Sequence, residues 1–382
     1  MSTTLTFQIY FSTALLPSNW DSLATKNLFL SKEYLKILEK SAPQNMQCFY
    51  IGLFNETDLV GIALSQYLNL NQLDSFGERD RCVKTLIRNF LFKKFSSQVL
   101  IIGNNMLTGQ NAFAFSSKID IIKGIQTLKK ASEELVTILK NKRKKVHLIS
   151  FKDFSESDAK QFQKAGFEEY YQFSIQPNMV FNIESQWNSE SDYINAFSKK
   201  YRDQHKRARK RAERITKKKM NLDAIIKHEK TIYDLYFHVA KNAYFNTFFL
   251  NQNHFSVLKE ILEHKFLFYG YFQDEKLIGF NTLIKNGAVM ETYFLGYDET
   301  IQREKMIYLN MLYDMIAYSI NKGFKEIVFA RTALEIKSSV GAKPHQMFGF
   351  IKHTNPFINS KMKYLFNYLE PKVDWKQRNP FK

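Results

Sequence analysis

Apolar and polar positions alternate along the chain in short runs, separated by a few longer segments with a helical period. In residues 28–40 (LFLSKEYLKILEK), apolar side chains recur on one helical face, and Ser31 precedes them at a capping position. In residues 49–68, apolar runs flank the polar residues 55–58 (NETD), which is typical of two strands joined by a turn. The pattern therefore predicts a helix followed by a β-hairpin.

A second hairpin pattern, LFYGYFQDEKLIGFNTLIKN, occupies residues 267–286. When Gly52 is aligned with Gly270, Gly61 falls on Gly279 without a gap, at a constant offset of 218 residues. An offset of this length predicts two copies of one domain rather than a solenoid, whose repeats span about 20 to 50 residues.

The order of elements around the two hairpins supports this duplication. Each hairpin pattern is accompanied by a strand, a helix and another strand. The corresponding segments are 98–103, 119–142 and 145–151 in the first half and 288–297, 304–322 and 326–330 in the second. Alternating strands and helices predict a mixed α/β fold, in which a crossover helix connects strands of one sheet. We expect two lobes, at residues 1–180 and 181–382.

Between the halves, apolar positions spaced near 3.6 residues predict a helix over residues 190–218, and a second helix follows at 229–243. Between Lys199 and Lys219 twelve Lys or Arg residues face two acids, so this segment carries +10 of the formal charge of +18. The predicted basic outer face consists of Lys199, Lys200, Arg202, Lys206, Arg207, Arg209, Lys210, Arg211 and Arg214. Such a face predicts a polyanionic partner: an acyl carrier protein, an anionic membrane surface or tRNA.

Composition and cysteine use exclude several classes of protein. The chain contains 35 Phe and 20 Tyr among 382 residues, which suits a globular core. Cys48 and Cys82 are the only cysteines, so neither a disulfide framework nor a cysteine metal site is expected. The histidines lack ligand spacing, and no metal is predicted. Without a long apolar run or a signal-peptide pattern, we expect a cytoplasmic protein, either free or peripheral to the inner face of the membrane.

Three segments resemble the FemAB-like branch of the GNAT acyltransferase superfamily, which combines two GNAT-type lobes in one chain. They are YINAFSKKYRDQHKRARKRAERI (193–215), the second hairpin with the strand AVMETYFLGYD (268–298), and INKGFKEIVFARTALEIKSSVGAKP (320–344). The likeness extends over about residues 20–350. It implies an N-acyltransferase with no permanently bound cofactor, which uses acyl-CoA or an acyl carrier protein thioester as co-substrate. The amine acceptor would be an amino acid, a peptide or a long-chain amino lipid.

One motif departs from the GNAT pattern and keeps two alternatives open. The phosphate-binding signature Q/R-x-x-G-x-G/A is absent from GYDETIQREKMIYLNML (296–312), where the resemblance places it. An aminoacyl-tRNA-dependent transferase of the FemAB type is one alternative, with the basic helix contacting tRNA phosphates. A nucleic-acid-binding protein with a degenerate acyltransferase fold is the other.

Glu291 is the candidate general base, because an isolated carboxylate in the apolar strand VMETYF acquires a raised pKa when buried. A structural ion pair or an exposed strand edge is the alternative for this residue. Alternation puts Tyr293 on the same strand face, where it would orient substrate or donate a proton. The resemblance to GNAT enzymes makes Tyr308 the candidate general acid, ahead of Tyr313, and packing in an aromatic core is the alternative for both.

A polar cluster follows the strand EIVFA, where α/β folds commonly bind ligands. Its candidate donor- and substrate-binding residues are Arg331, Glu335, Lys337, Ser338, Ser339 and Gly341, joined by Arg202, Lys206 and Arg207 of the basic helix. We expect Arg331 or Lys337 to hold a phosphate or carboxylate, and the serines and glycine of a loop to offer backbone N–H groups. A solvated surface loop is the alternative. The second lobe is expected to be active and the first to be mainly structural.

Overall fold

The computed structural model describes residues 4–72, 95–242, 246–369 and 375–382, and these form two compact units. The first unit comprises Met1–Ile175, Phe245–Asn251 and Gln346–Lys372, and the second comprises Gln176–Tyr244, Gln252–His345 and Val373–Lys382. The chain changes unit close to the boundary expected at residue 180. Two later stretches of chain nevertheless belong to the first unit, because their strand and loop segments complete its sheet and core.

The structure contains thirteen β-strands and thirteen α-helices in its described residues. The strands are β1 (Thr6–Tyr10), β2 (Met46–Asn55), β3 (Asp58–Asn69), β4 (Gln98–Ile102), β5 (Phe113–Phe115), β6 (Leu148–Phe154), β7 (Tyr171–Asn182), β8 (Thr216–Lys219), β9 (Phe266–Gln273), β10 (Lys276–Asn286), β11 (Val289–Tyr297), β12 (Glu326–Ala330) and β13 (Lys343–His353). The helices are α1 (Lys32–Ser41), α2 (Ile121–Asn141), α3 (Glu156–Lys164), α4 (Glu190–Ala196), α5 (Lys199–Arg211), α6 (Leu222–Lys227), α7 (Glu229–Lys241), α8 (His254–Leu262), α9 (Glu299–Lys305), α10 (Ile307–Asn321), α11 (Leu334–Ser339), α12 (Pro356–Asn359) and α13 (Met362–Leu369).

The first unit is built on a sheet with the strand order β1-β2-β3-β4-β6-β13. Its strands pair antiparallel except β4 and β6, which run parallel because the crossover helix α2 connects them. Ile125, Leu128 and Leu135 of α2 are fully buried against this sheet. The predicted crossover helix over residues 119–142 is confirmed.

The second unit repeats this arrangement with the order β8-β9-β10-β11-β12-β7. Here β11 and β12 are the parallel pair, and α10 is the crossover helix. Met311, Leu312 and Ile316 of α10 are buried in the core of the unit. The expected mixed α/β fold with two repeated lobes is confirmed.

The internal repeat is visible in the hairpins down to an irregularity of strand pairing. The register shifts by one residue at Val60 in the β2–β3 hairpin and at Ile278 in the β9–β10 hairpin, just before Gly61 and Gly279. These positions keep the offset of 218 residues found in the sequence. Because β-bulges fix local twist and strand register, a bulge at equivalent positions indicates that the two hairpins have the same backbone arrangement.

The prediction of a single helix over residues 190–218 is wrong. Helix α4 ends at Ala196, and the next residue, Phe197, is extended (φ −64°, ψ 145°). Helix α5 begins after Ser198 and ends at Arg211. The lysine-rich residues 216–219 form β8, which pairs antiparallel with β9. Lysine favours helices in isolation, but here pairing with a sheet edge determines the conformation.

Two further expectations near the second crossover need correction. The helix expected at 304–322 begins earlier and is divided at Met306, whose left-handed backbone (φ 51°) separates α9 from α10. The expected loop around Ser338 and Ser339 is the helix α11, in which the two hydroxyls donate to the carbonyls of Glu335 and Ile336. Among the described helices, none combines the length and the apolar character that crossing a bilayer requires.

Candidate active site and anion-binding groove

Strands β11 and β12 separate in the middle of the second unit. Their parallel pairing covers three residues of each strand and ends at Glu291 and Val328. Just beyond, Tyr293 and Phe294 of β11 lie opposite the single residue Thr282 of β10. This bulge increases the local twist of β11, so its C-terminal half leaves β12. The opening between the strand ends is the kind of place where α/β folds bind ligands.

Glu291 lies at the point where the two strands separate and is 8% exposed. Met290 and Ile327 belong to the core beneath α10, so alternation directs Glu291 and its neighbour Val328 to the opposite sheet face. Burial raises the pKa of the Glu291 carboxyl to about 8, and repulsion by Glu326 adds to this effect. A carboxyl of this kind changes protonation near neutral pH, as a general base must.

The aromatic residues of the bulge meet the helices that cover this face. The ring nitrogen Nε2 of His254, at the start of α8, lies 2.9 Å from the hydroxyl oxygen of Tyr293. Phe294 packs edge-on against Tyr236 of α7, with ring centroids 5.6 Å apart. Tyr293 thus occupies the strand face predicted from alternation, and the fully buried His254 holds its hydroxyl in place.

A basic groove of about 560 Å³ lies in the same unit, on the side of α5, α10 and α11. Its lining residues are Lys200, Tyr201, Gln204, Arg207, Arg211, Met306, Leu309, Glu335, Ile336, Ser339 and Arg378. The volume falls in the range of ordinary small-ligand sites, about 300 to 1,000 Å³. The structure therefore brings together Arg207, Glu335 and Ser339, which the sequence placed in two separate segments.

Four cations against one carboxylate make this groove suitable for an anion. Lys200, Arg207 and Arg211 come from one face of α5, and Arg378 comes from the C-terminal segment. Glu335 is bound by Arg378 at 3.1 Å and by the backbone N–H of Lys376 at 3.0 Å. These contacts hold the pKa of Glu335 below its usual range, with the backbone bond as the larger cause. The pair positions Arg378 at the groove and leaves the three α5 cations in excess.

The C-terminal segment that carries Arg378 is fixed by aromatic packing. Phe381 stacks on Phe197 with ring centroids 5.6 Å apart and also contacts Trp187 at 5.5 Å. The backbone N–H of Arg378 donates to the Ser338 hydroxyl at 2.9 Å. These contacts hold the segment against the end of α4 and against α11, and so place Arg378 at the groove.

Part of the predicted basic face points inward. Arg209 binds Glu190 at 2.8 Å and Asp314 at 2.7 Å, and Asp314 also accepts a hydrogen bond from the Tyr271 hydroxyl. These partners raise the pKa of the Arg209 guanidinium, although burial opposes them. Arg209 is therefore wrongly placed on the outer face by sequence spacing. Its role is to fix α5 to α10, which carries Asp314.

Two of the predicted site residues on α5, Arg202 and Lys206, differ in their surroundings. Arg202 donates to the carbonyl oxygen of Phe197 at 2.8 Å and so satisfies the end of α4. Lys206 is exposed and does not line the groove, because its position on α5 lies away from the face shared by Lys200, Arg207 and Arg211. Of the three predicted α5 residues, Arg207 is the one that lines the groove.

Lys337, on the buried side of α11, and Arg331, just after β12, do not line the basic groove. The Lys337 ammonium donates to the carbonyls of Phe329 (2.5 Å), Ala330 (3.2 Å) and Arg331 (2.7 Å). Burial lowers the pKa of Lys337 to about 7 and that of Arg331 to about 10. The Arg331 Nε–H donates to the carbonyl of Gln176 at 3.2 Å. The donors of Lys337 are thus directed at the turn after β12, where Ala330 has a left-handed backbone (φ 58°).

The remaining predicted residues lie in helices and cores. The N–H of Gly341 donates to the carbonyl of Ser338 within the turn that ends α11. Tyr308 packs beside Tyr297, and burial raises the pKa of its hydroxyl above the usual range. Tyr313 is fully buried against Phe197, and burial raises its pKa to about 12.

Several site residues were missed by sequence reasoning. His254 has no motif around it, and only its position at the start of a helix facing the β11 bulge reveals its contact with Tyr293. Lys200 and Arg211 belonged to the basic run, but their spacing from Arg207 indicates one helical face only once α5 is known to end at Arg211. Arg378 has no local signal. Cys82 lies outside the described residues, and the described chain contains no group of three potential His, Cys, Asp or Glu metal ligands.

The folds of known proteins agree with this architecture. The crystal structure of FemX matches with a TM-score of 0.51 and 12% identity, covering 95% of this chain and 100% of that one. A tandem GNAT protein from the clavulanic acid biosynthesis pathway, solved without acetyl-CoA, matches with a TM-score of 0.52 and 8% identity, covering 92% and 99%. No protein-family model matches the sequence, and no curated protein matches it either. The chain thus has a FemAB-like, tandem GNAT-type fold.

Proposed function

We propose that the protein is an N-acyltransferase whose second unit transfers an acyl group from an activated, phosphate-bearing carrier to an amine. The observation that carries the proposal is Glu291, a buried carboxyl with a pKa near 8 where β11 and β12 separate. The tandem GNAT-type fold supports the same class of reaction.

The proposed reaction needs one base and no covalent enzyme intermediate. The amine nitrogen attacks the acyl carbonyl carbon, the new C–N bond forms, and the bond from that carbon to the carrier breaks. Glu291 accepts the proton that the amine loses. A thiolate leaving group needs little assistance, because thiols ionise near pH 8.5. Tyr293, fixed by His254, orients the acceptor.

The basic groove supports a donor carried by phosphates. Lys200, Arg207 and Arg211 line one wall, and charge-assisted hydrogen bonds from arginine are well suited to phosphate oxygens. Acyl-CoA and the phosphopantetheine arm of an acyl carrier protein both present such groups. Neither the groove nor Glu291 distinguishes between these two carriers.

An aminoacyl-tRNA donor is the second candidate, and one observation favours it. Exposed cations continue outside the groove lining, at Lys206 and Lys210 of α5 and at Arg214 just after this helix. A carrier as large as tRNA would contact both sets, and its binding would depend steeply on salt.

Native mass spectrometry of the purified protein against acyl-CoA, acyl carrier protein and aminoacyl-tRNA in competition tests the proposal. We expect one carrier to be retained, and Arg207→Glu with Arg211→Glu to weaken its binding about 30-fold or more through lost and reversed phosphate contacts. Arg214→Glu, a cation just beyond α5, is the matched control. The affinity for acyl-CoA or acyl carrier protein should not change in this control, whereas the affinity for tRNA should fall.

Two results would contradict the proposal. One is retention of no carrier under any condition. The other is carrier binding that Arg207→Glu with Arg211→Glu leaves intact. A protein that binds uncharged tRNA as tightly as aminoacyl-tRNA and transfers no acyl group would instead support a nucleic-acid-binding role.

A further inference from the structure

One edge of the first unit combines exposed aromatic rings with a dense set of cations. Phe357 on α12 and Tyr364 on α13 are 76% and 72% exposed, more than any other large apolar side chain in the described chain. Lys361 and Lys363 lie between them in sequence and are exposed as well. Exposed aromatic side chains flanked by charged residues mark this edge as a candidate interaction surface.

A second basic segment is tied to this edge by hydrogen bonds. The backbone N–H of Thr354 donates to the carbonyl of His147 at 2.9 Å, and the Thr354 hydroxyl donates to that of Val146 at 2.8 Å. Arg143, Lys144 and Lys145 directly precede Val146 and are exposed. These hydrogen bonds place the two segments side by side at one end of the β6–β13 pair, and we define the aromatic–basic edge by their exposed residues Arg143, Lys145, Phe357, Lys361, Lys363 and Tyr364.

The edge is rigidly constructed. The Asn355 side chain accepts hydrogen bonds from the N–H groups of Phe357 (2.9 Å) and Ile358 (3.2 Å), so the first turn of α12 has its donors satisfied. Asn359 accepts from the N–H of His353 and donates to the carbonyl of Glu169. Phe357 is thus displayed on a fixed turn whose backbone donors need no water, as entry into an apolar layer requires.

The acidic residue tied to this edge does not cancel its charge. Glu169, whose carbonyl accepts from Asn359, pairs through its carboxylate with Lys352 at 2.6 Å and Lys129 at 2.8 Å. These lysines hold the pKa of Glu169 below its usual range, so the carboxylate is ionised, and their positive charges compensate its negative charge. The cations of the edge are left for an external anion.

We propose that the aromatic–basic edge docks the protein onto a bilayer surface rich in anionic phospholipid. Aromatic rings partition into the interfacial region, and nearby lysines and arginines attract acidic headgroups. A second copy of the chain fits poorly, because two such edges would bring like charges together. This surface is distinct from the basic groove, and the proposal does not rest on the acyltransfer reaction.

Co-sedimentation with vesicles tests the proposal. The full-length protein is expected to bind phosphatidylglycerol-containing vesicles and not pure phosphatidylcholine vesicles, and to be released by salt. Phe357→Ser with Tyr364→Ser should lower the partition coefficient about tenfold, since two interfacial rings are lost. Lys361→Glu with Lys363→Glu should lower it about 30-fold or more, since the loss of each basic residue near an anionic surface costs roughly fivefold and the reversed charge adds to this.

Matched variants separate the edge from other surfaces. Leu15→Ser removes an apolar side chain that is 64% exposed elsewhere in the first unit and should leave vesicle binding unchanged. Lys206→Glu with Lys210→Glu tests α5, and Glu291→Gln should bind vesicles like the wild type. Thermal unfolding of each variant verifies that it is folded.

The proposal is overturned if the edge variants bind vesicles like the wild type, or if only the α5 variant loses binding. It is also overturned if the wild type ignores vesicles but binds single-stranded RNA through these rings and lysines, because aromatic and basic residues together also suit unstacked bases.

Discussion

The two units carry the same strands in the same order, yet they differ at the residue that matters for chemistry. In both, a parallel strand pair begins with a valine, Val99 in β4 and Val289 in β11. Two residues further on stand Ile101 in the first unit and Glu291 in the second, each buried and each on the sheet face away from the crossover helix. A duplicated framework thus carries a titratable carboxyl in one copy only.

The units also differ in what occupies the space after the parallel strands. In the first, the chain following β4 turns back through a buried, asparagine-rich loop. Lys152 of β6 donates to the carbonyls of Asn104 (3.1 Å) and Leu107 (3.2 Å) in that loop and pairs with Asp153 at 2.6 Å. In the second unit a buried lysine from a different element, Lys337 of α11, donates instead to the carbonyls at the end of β12. The first unit has therefore filled its opening with its own chain, which fits a structural role.

The largest expected effect is on turnover and tests the carboxyl directly. Glu291→Gln keeps the side-chain shape but removes the base, so we expect kcat to fall about 100- to 10,000-fold, the usual contribution of general base catalysis. Wild-type kcat/KM should rise with pH and level off above about 8, because the ionised carboxyl is the active form and burial raises its pKa to that value. The variant should show no such rise.

The matched change in the other copy is Ile101→Val, which alters the equivalent buried position without adding polarity. It should leave kcat within about twofold and the free energy of unfolding within roughly 1.5 kcal/mol of wild type. If Ile101→Val and Glu291→Gln reduced turnover equally, the asymmetry between the units would have no catalytic meaning.

The second effect concerns the buried lysines. Lys337→Met would leave three strand-end carbonyls without their donor, and we expect the protein to lose on the order of 3 kcal/mol of stability. Because α11 contributes Glu335, Ile336 and Ser339 to the groove, carrier binding should weaken as well. Lys152→Met should destabilise by a similar amount, since Asp153 stays buried without its charge partner.

Carrier binding is the readout that separates the two lysine variants. Urea unfolding gives their stabilities, and native mass spectrometry under folding conditions gives their affinities. Retained affinity in Lys152→Met but not in Lys337→Met would support a binding role for the second unit alone. The opposite pattern would assign the carrier to the first unit.

Local patterns were sufficient to predict much of the framework. The hairpins and crossover helices follow from alternation and helical period, and the constant offset between Gly52 and Gly270 is enough to identify the repeat. Glu291 was identifiable because a carboxyl within an apolar strand is unusual. Apart from the repeat, which comes from comparing two distant segments, each of these signals lies within about 20 residues of chain, close to the range over which periodicity reports structure.

The groove was harder to predict because tertiary contacts build it. Arg209 belongs to the same basic run as Arg207, but it forms ion pairs with Glu190 and Asp314, which are distant from it in sequence. These pairs direct the Arg209 side chain towards the protein rather than towards solvent. Arg378 reaches the groove only because Phe381 packs against Phe197. The predicted helix continued into the lysine-rich residues 217–219, but in the structure these residues pair with β9 as a strand. Sequence spacing cannot report contacts of this range.

The smallest expected effect concerns a buried hairpin position that is polar in the second unit and apolar in the first. Asn281 lies 218 residues after Ala63, and it is 1% exposed on β10 beside the β11 bulge. Neither its Nδ2 nor its Oδ1 has a hydrogen-bond partner among the described residues. An unpaired buried amide opposes folding by about 1 to 3 kcal/mol. Asn281→Leu, which is close in volume, should therefore stabilise the protein by about 1 kcal/mol.

The reciprocal change makes the comparison sharper. Ala63→Asn places an amide in the first unit, where Ala63 is fully buried, and should destabilise by about 2 kcal/mol through both burial of the amide and overpacking. Urea unfolding measures both variants. If Asn281→Leu instead lost stability, we would conclude that the Asn281 amide has a hydrogen-bond partner such as a bound water. The second hairpin would then differ from the first by a satisfied buried amide rather than by an unsatisfied one. If it gained stability and lost turnover, Asn281 would be retained for the adjacent site at the expense of the fold.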